Sequence, residues 1–231
     1  PSFSETRKYP VVLYQYSGPG SQNTGDTWAG SNYFFHQLLA QKGFLVAVVD
    51  TRGTGARGAS FKKMTYKELG KYELQDLVSA AKYFSTLPYV DKERLGIWGW
   101  SYGGYMAALA MTKASGVFKT GIAVAPVTNW RFYDTIYTER FLQTPQLNPS
   151  GYDDNSPLTH AARLQGNFLM IHGTGDDNVH FQNSVQFESA LIHAGKQFRS
   201  FYYPDKHHGI QGSKTRLHLY TMMLDFLVET L

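Results

Sequence analysis

Short apolar runs alternate along this chain with glycine-marked polar loops and with stretches of helical periodicity. Tyr9–Pro10–Val11–Val12–Leu13–Tyr14–Gln15–Tyr16 predicts a buried strand that ends in the loop Ser17–Gly18–Pro19–Gly20–Ser21. Phe34–Phe35–His36–Gln37–Leu38–Leu39–Ala40 predicts a helix, closed by Lys42 as a last-turn cation and by Gly43. Phe44–Leu45–Val46–Ala47–Val48–Val49–Asp50 is nearly continuous apolar sequence, the pattern expected of a strand covered on both faces. The glycine-rich stretch 52–58 has neither a Walker lysine nor the Gly-x-Gly-x-x-Gly form and reads as a tight connection. Leu74, Leu77, Val78, Ala81 and Phe84 recur at helical spacing within 71–87, and the polar turn Asp91–Lys92–Glu93–Arg94 precedes the next strand, Leu95–Gly96–Ile97–Trp98. Further strands are predicted at 120–125, 167–172 and 198–203. Leu217, Tyr220, Leu224, Leu227 and Val228 mark a C-terminal helix. Strands alternating with helices predict an α/β fold with a doubly wound, mostly parallel sheet. No repeat or low-complexity linker interrupts it, so residues 1–231 read as one domain.

Gly99–Trp100–Ser101–Tyr102–Gly103–Gly104 lies between the 95–98 strand and the helix-forming run Tyr105–Met106–Ala107–Ala108–Leu109–Ala110–Met111. Strand, Gly-x-Ser-x-Gly turn and helix form the context of the nucleophile elbow of α/β-hydrolases. The turn must lift a serine hydroxyl from the sheet edge, and Gly99 and Gly103 carry no Cβ to crowd it. The helix N-terminus offers free N–H groups where an oxyanion would develop.

Composition narrows the alternatives only slightly. Lys and Arg total 22 against 18 Asp and Glu, without basic blocks, so no nucleic-acid partner is indicated. The absence of cysteine excludes disulfides and thiolate metal sites within these residues. No His-x-Glu-x-x-His motif or carboxylate cluster has metal-ligand spacing, so neither a metal nor another cofactor is expected. No apolar run approaches the roughly 18 residues of a spanning helix, and no signal peptide opens the sequence. Starting at Pro1 without an initiator methionine, the chain is expected to be a domain cut from a longer polypeptide. Aromatic residues, at 15%, are abundant enough for a lined pocket as well as a core.

Reactive groups in such sheets gather at the carboxyl ends of strands. Asp176–Asp177–Asn178 follows the 167–172 strand, and His207–His208–Gly209 follows the 198–203 strand. Serine, then aspartate, then histidine is the α/β-hydrolase order. Asp176 stands nearer its strand end than Asp177, and His208 has Gly209 beside it, so Ser101, Asp176 and His208 are the favoured triad. The histidine would serve as general base and the aspartate would orient it. His36, His160, His172, His180, His193, His207 and His218 read as surface or packed residues.

Gly-Trp-Ser-Tyr-Gly-Gly at 99–104 resembles the nucleophile motif of the prolyl oligopeptidase clan. Four further stretches resemble the dipeptidyl peptidase IV family: Tyr16–Gln22, Val124–Val127 with Trp130, Tyr137–Arg140, and His172–Phe181. The similarity runs from about Tyr9 to near the C-terminus. One departure is Lys206–His207, where the family has an acidic residue before its catalytic histidine. The resemblance implies an α/β-hydrolase fold and Ser101, Asp176 and His208 as triad. It assigns the oxyanion hole to the Tyr16 hydroxyl and the Tyr102 N–H, although Tyr16 by position alone reads as a packed strand-end aromatic. It further implies an S1 pocket for proline, built from Tyr102, Val127, Trp130, Tyr133, Tyr137 and Val179, with Asn178 binding the P2 carbonyl. Glu139 and Arg140 are left as an ion pair or a pocket wall.

In the family a β-propeller precedes the hydrolase and supplies glutamates that bind the substrate's free N-terminus; nothing in this sequence reads as a propeller. The implied function is a serine exopeptidase that releases X-Pro or X-Ala dipeptides, secreted or periplasmic, from a homodimer in which the 213–231 helix is a candidate interface. Acylaminoacyl peptidase, prolyl endopeptidase and esterase activities remain as alternatives within the clan, and a catalytically inactive binding module outside it.

Overall fold

The computed structural model describes residues 3–28 and 30–231. Six strands form one parallel sheet: β1 (Tyr9–Tyr14), β2 (Leu45–Val48), β3 (Val90–Trp100), β4 (Thr120–Val124), β5 (Asn167–Gly173) and β6 (Arg199–Tyr203). Their spatial order is β2-β1-β3-β4-β5-β6. Eight helices connect or follow them: α1 (Ser31–Gln41), α2 (Gly58–Lys63), α3 (Lys71–Thr86), α4 (Tyr102–Thr112), α5 (Thr135–Leu142), α6 (Pro149–Asp153), α7 (Gln182–His193) and α8 (Ser213–Thr230).

Alternation along the strands divides the core into two layers. On one face Val11, Leu13, Ile97, Ala123 and Met170 pack with Leu74 and Leu77 of α3, with α4, and with Phe187 and Leu191 of α7. On the other, Val12, Tyr14, Trp98, Ile122 and Ile171 pack with Phe35 and Leu39 of α1 and with Leu219, Met223 and Phe226 of α8. This is the doubly wound parallel arrangement that the alternating pattern predicts. The chain leaves β1 toward β2 on one side and returns to β3 on the other, so β1 and β3 flank a topological switch point. Crevices for ligands open at the carboxyl ends of such strands. Tyr16 follows β1 and Ser101 follows β3, which places both at that crevice.

Three details differ from the sequence reading. The 44–50 run forms only the short edge strand β2, half-buried with Val48 exposed, because α1 covers one of its faces and no strand pairs beyond it. The polar turn 91–94 belongs to β3, where the pairing Tyr9↔Val90 jumps to Val11↔Leu95. The surplus residues bulge outward, held by an Arg94–Asp91 ion pair at 2.7 Å. On α8, Leu217 and Val228 are exposed and the buried stripe is Leu219, Met223, Phe226 and Leu227, since apolar residues occupy more than one face of this helix. No helix among the described residues is long and apolar enough to cross a membrane.

Candidate active site

Ser101 occupies a conformation that L-residues rarely adopt, with φ 60° and ψ −117°, between the end of β3 and the first turn of α4. Its N–H bonds Val124 O at 2.8 Å, and its carbonyl accepts Tyr105 N–H at 2.9 Å. The surroundings demand the glycines of the motif. A Cβ on Gly99 would lie 2.5 Å from the Gly103 carbonyl and 2.7 Å from Gln15 O, and a Cβ on Gly103 would overlap Gln15 O. Gln15 also donates from Nε2 to Gly103 O at 2.8 Å, tying the end of β1 to the elbow. Behind the serine every residue of α4 is buried, so the turn is backed by a helix packed on all sides.

The β5–α7 loop carries Asp176. Its Oδ1 accepts the N–H groups of Asn178 and Val179, each at 2.9 Å, and its Oδ2 accepts His208 Nδ1 at 2.8 Å. Burial opposes ionisation of this carboxyl, but the His172 and His208 hydrogen bonds hold it well below the usual carboxylate range. An ionised carboxylate only accepts, so Nδ1 of His208 carries the proton and Nε2 keeps its lone pair. The indole of Trp100, next to the serine, donates to the His208 carbonyl at 3.0 Å and holds that loop beside the elbow. No Ser101–His208 bond appears in the hydrogen-bond network; such contacts are often long without substrate. His207 and Asp177 point outward, 3.6 Å apart and about three-quarters exposed.

Tyr16 stands over the elbow with its ring centroid 6.1 Å from that of Tyr102. Burial raises the Tyr16 phenol, opposed in part by the nearby Ser101 hydroxyl, so it stays protonated at neutral pH as a donor. The Tyr102 N–H belongs to the first turn of α4, where amides lack intrahelical partners.

Beside the serine the aromatic rings assemble into a box. Trp130 lies 5.4 Å from Tyr102, 5.7 Å from Tyr133 and 5.9 Å from Tyr137, and Tyr133 meets Tyr137 edge-on at 5.3 Å. Val127 and Val179 are buried in the same cluster. Two short elements present these rings. Asn129 caps the 3₁₀ turn Trp130–Phe132, and Asp134 caps α5 by accepting Tyr137 N–H at 2.8 Å. Tyr133 donates its hydroxyl to Asn178 Oδ1 at 2.7 Å, which leaves the Asn178 amide N–H groups free to donate. Glu139 and Arg140 are exposed on α5, with no ion pair between them among the described residues. Arg131 and Asp153 form the ion pair of this region, at 2.7 Å.

Two residues of the site escaped sequence reasoning. His172, read as a packed histidine, is fully buried and places Nε2 3.0 Å from Asp176 Oδ2. Its spacing of four from Asp176 across a glycine turn was the available signal. Glu73, on an otherwise amphipathic helix, is buried beneath the box and accepts the Tyr102 hydroxyl at 2.6 Å. Nothing local in the sequence around Glu73 discloses its burial.

A parallel sheet with a strained serine between strand and helix, and a buried aspartate on a histidine beside it, defines an α/β-hydrolase. The chain belongs to the prolyl oligopeptidase family, a family of serine hydrolases whose description matches residues 31–231. It is 41% identical over 232 residues to mouse (Mus musculus) prolyl endopeptidase FAP and 43% identical over 232 residues to bovine (Bos taurus) dipeptidyl peptidase 4, covering 99% of this chain in each case. The chain spans about 30% of the length of these relatives. The crystal structure of Porphyromonas gingivalis dipeptidyl peptidase 4 superposes with a TM-score of 0.96 at 50% identity, over 99% of this chain and 32% of that one.

Proposed function

We propose that this chain is the catalytic domain of a serine exopeptidase that removes X-Pro or X-Ala dipeptides from peptides with a free N-terminus. The observation that carries the reading is the bond of buried Asp176 to half-buried His208, whose loop Trp100 ties to the Ser101 elbow, together with the box of Tyr102, Trp130, Tyr133 and Tyr137. A pyrrolidine ring offers flat apolar area and no N–H, and such a box suits it better than a flexible or charged side chain.

Ser101 Oγ attacks the proline residue's own carbonyl carbon while His208 Nε2 takes its proton. The C=O electron pair moves onto oxygen, and this oxyanion is held by the Tyr16 hydroxyl and the Tyr102 N–H. One such donor is worth roughly 3 kcal/mol of transition-state stabilisation. Asp176 steadies the imidazolium. Collapse of the tetrahedral species breaks the C–N bond as His208 returns the proton to the leaving amine. Water, activated by the same histidine, then hydrolyses the acyl-serine. Asn178, its oxygen held by Tyr133, is free to donate an N–H to the P2 carbonyl. The family resemblance supports a preceding β-propeller that reads the substrate N-terminus, a homodimer, and a secreted or periplasmic location.

A second reading, prolyl endopeptidase activity, is favoured by the 41% identity to mouse prolyl endopeptidase FAP. Hydrolysis of Gly-Pro-p-nitroanilide and its N-blocked counterpart by the full-length protein separates the two. Cleavage of the free-amine substrate alone, lost in Ser101→Ala, is the expected result. Cleavage of both substrates selects the endopeptidase. Cleavage of neither by folded protein rejects both and returns the weight to an inactive binding module.

A further inference from the structure

The Asp176 carboxylate is held by four donors, and the fourth is unusual in being a second histidine. His172 lies at the end of β5, with no exposed surface. Its Nε2 faces two acceptors, Asp176 Oδ2 at 3.0 Å and Val179 O at 2.9 Å. Neither can donate, so Nε2 carries the hydrogen. Its Nδ1 lies 2.7 Å from Ser184 Oγ on α7, and in the neutral ring this nitrogen accepts the serine hydroxyl. The direction of every bond is thereby fixed: Ser184 to His172, His172 to Asp176, and His208 to Asp176 from the other side.

The remaining neighbours leave this arrangement uncompensated by charge. Phe181 meets the His172 ring edge-on at 5.7 Å, and the Tyr133 phenol feels the Asp176 charge from the 131–134 loop. Asp177 and His207 form their own exposed pair. Among the described residues no lysine or arginine pairs with Asp176; the side chains that reach it are the two histidines.

Resting on the peptidase reading above, we propose that His172 is a positioning residue for the triad: held in one tautomer by Ser184, it aims Asp176 Oδ2 at His208 and occupies part of that oxygen's accepting capacity. Two donors on one oxygen compete. Each draws on the same lone-pair density, so the His172 bond weakens the hold of Asp176 on the imidazolium of His208. The consequence is read in the acid limb of Ser101 reactivity, which depends on how firmly Asp176 holds the His208 imidazolium. No proton moves through His172 itself. A donor of fixed direction and no formal charge sets the strength of the Asp176–His208 bond without cancelling it.

The test is the pH dependence of Ser101 labelling by a fluorophosphonate, measured on the full-length protein with His172→Leu, His172→Gln and Ser184→Ala. Labelling needs Ser101 and His208 but no particular peptide. In His172→Leu the acid limb is expected to move up by about half a pH unit or more, which is roughly a threefold slower reaction below the limb. His172→Gln, whose amide N–H reaches the position of Nε2–H, should return the limb toward wild type. An unshifted limb in folded His172→Leu overturns the proposal, because a histidine that merely packs the core would lower thermal stability and leave the limb in place. If His172→Leu does not fold, Ser184→Ala carries the test: it frees the tautomer and should shift the limb in the same direction by less, and no shift overturns the proposal. Absence of labelling in folded wild-type protein removes the site reading itself, a result distinct from labelling with unshifted limbs.

Discussion

Glu73 shows how much chemistry one misplaced-looking residue can carry. Its carboxyl is fully buried, accepts the Tyr102 hydroxyl at 2.6 Å and the Gly70 N–H at 3.0 Å, and has no cationic partner among the described residues. Burial therefore wins over these bonds and pushes it from 4.5 up to about 7. The sign follows from proton counting. Between those two values the folded protein holds a proton that the unfolded chain has released, so stability falls as pH rises through this window. A shift from 4.5 to about 7 corresponds to about 3 kcal/mol. Glu73→Gln, neutral at every pH, should flatten this part of the profile. Urea unfolding of both proteins from about pH 4 to about pH 8 reads it directly; equal slopes would mean that Glu73 does not titrate in the fold. The elbow at Ser101 and the meeting of Asp176 with His208 were legible in the sequence because motif, chain order and strand ends are local features. Glu73 and His172 were not, because burial and partner identity are products of tertiary packing.

At the scale of elements, the elbow is the joint on which strand and helix depend. Gly103, in the first turn of α4, lies directly against the Gln15 carbonyl, and a Cβ there would meet backbone that cannot swing aside. Gly103→Ala should destabilise the protein by about 2 kcal/mol or more and displace Ser101 enough to reduce peptide turnover steeply. Gly25→Ala, in an open loop where the added Cβ would approach only Thr27 Oγ1 at 3.9 Å, should stay within about 0.5 kcal/mol of wild type. Thermal unfolding and turnover of the two variants check the contrast; equal effects would refute the argument from backbone contact. The central strands and the helices α1, α3, α4 and α8 were visible in the apolar pattern, whereas the 12-residue α7 was not read. The edge strand β2 was not distinguished from a central one, since its composition is as apolar as theirs. The short helices α5 and α6 escaped because they are built by caps such as Asp134 and Asn148 rather than by an amphipathic repeat.

For the whole molecule the open side of the sheet poses the remaining question. Among the described residues β6 is an edge strand with no partner beyond it, and α8 beside it leaves Leu217 70% and Val228 54% exposed. Between strand and helix lies a depression of about 560 Å³ bordered by Arg199, Phe201, Leu217, Met222 and Phe226. An unpaired strand edge beside apolar side chains invites pairing unless something covers it. A second copy related by a two-fold axis would cover it with the same surface, and such self-complementary contact closes after two subunits. The homodimer proposed above should therefore use β6 and α8. Exchanging Leu217 and Val228 for glutamate sets like charges against each other across the axis, so the double variant should run at half the wild-type mass in light scattering behind gel filtration. The catalytic crevice opens at the β1–β3 switch point, with β4 and β5 between it and this edge, so Ser101 labelling by a fluorophosphonate should proceed at close to the wild-type rate. A double variant that keeps the dimer mass would move the interface elsewhere. A monomeric wild type would remove the dimer from the proposal and leave the exposed edge in need of a different cover.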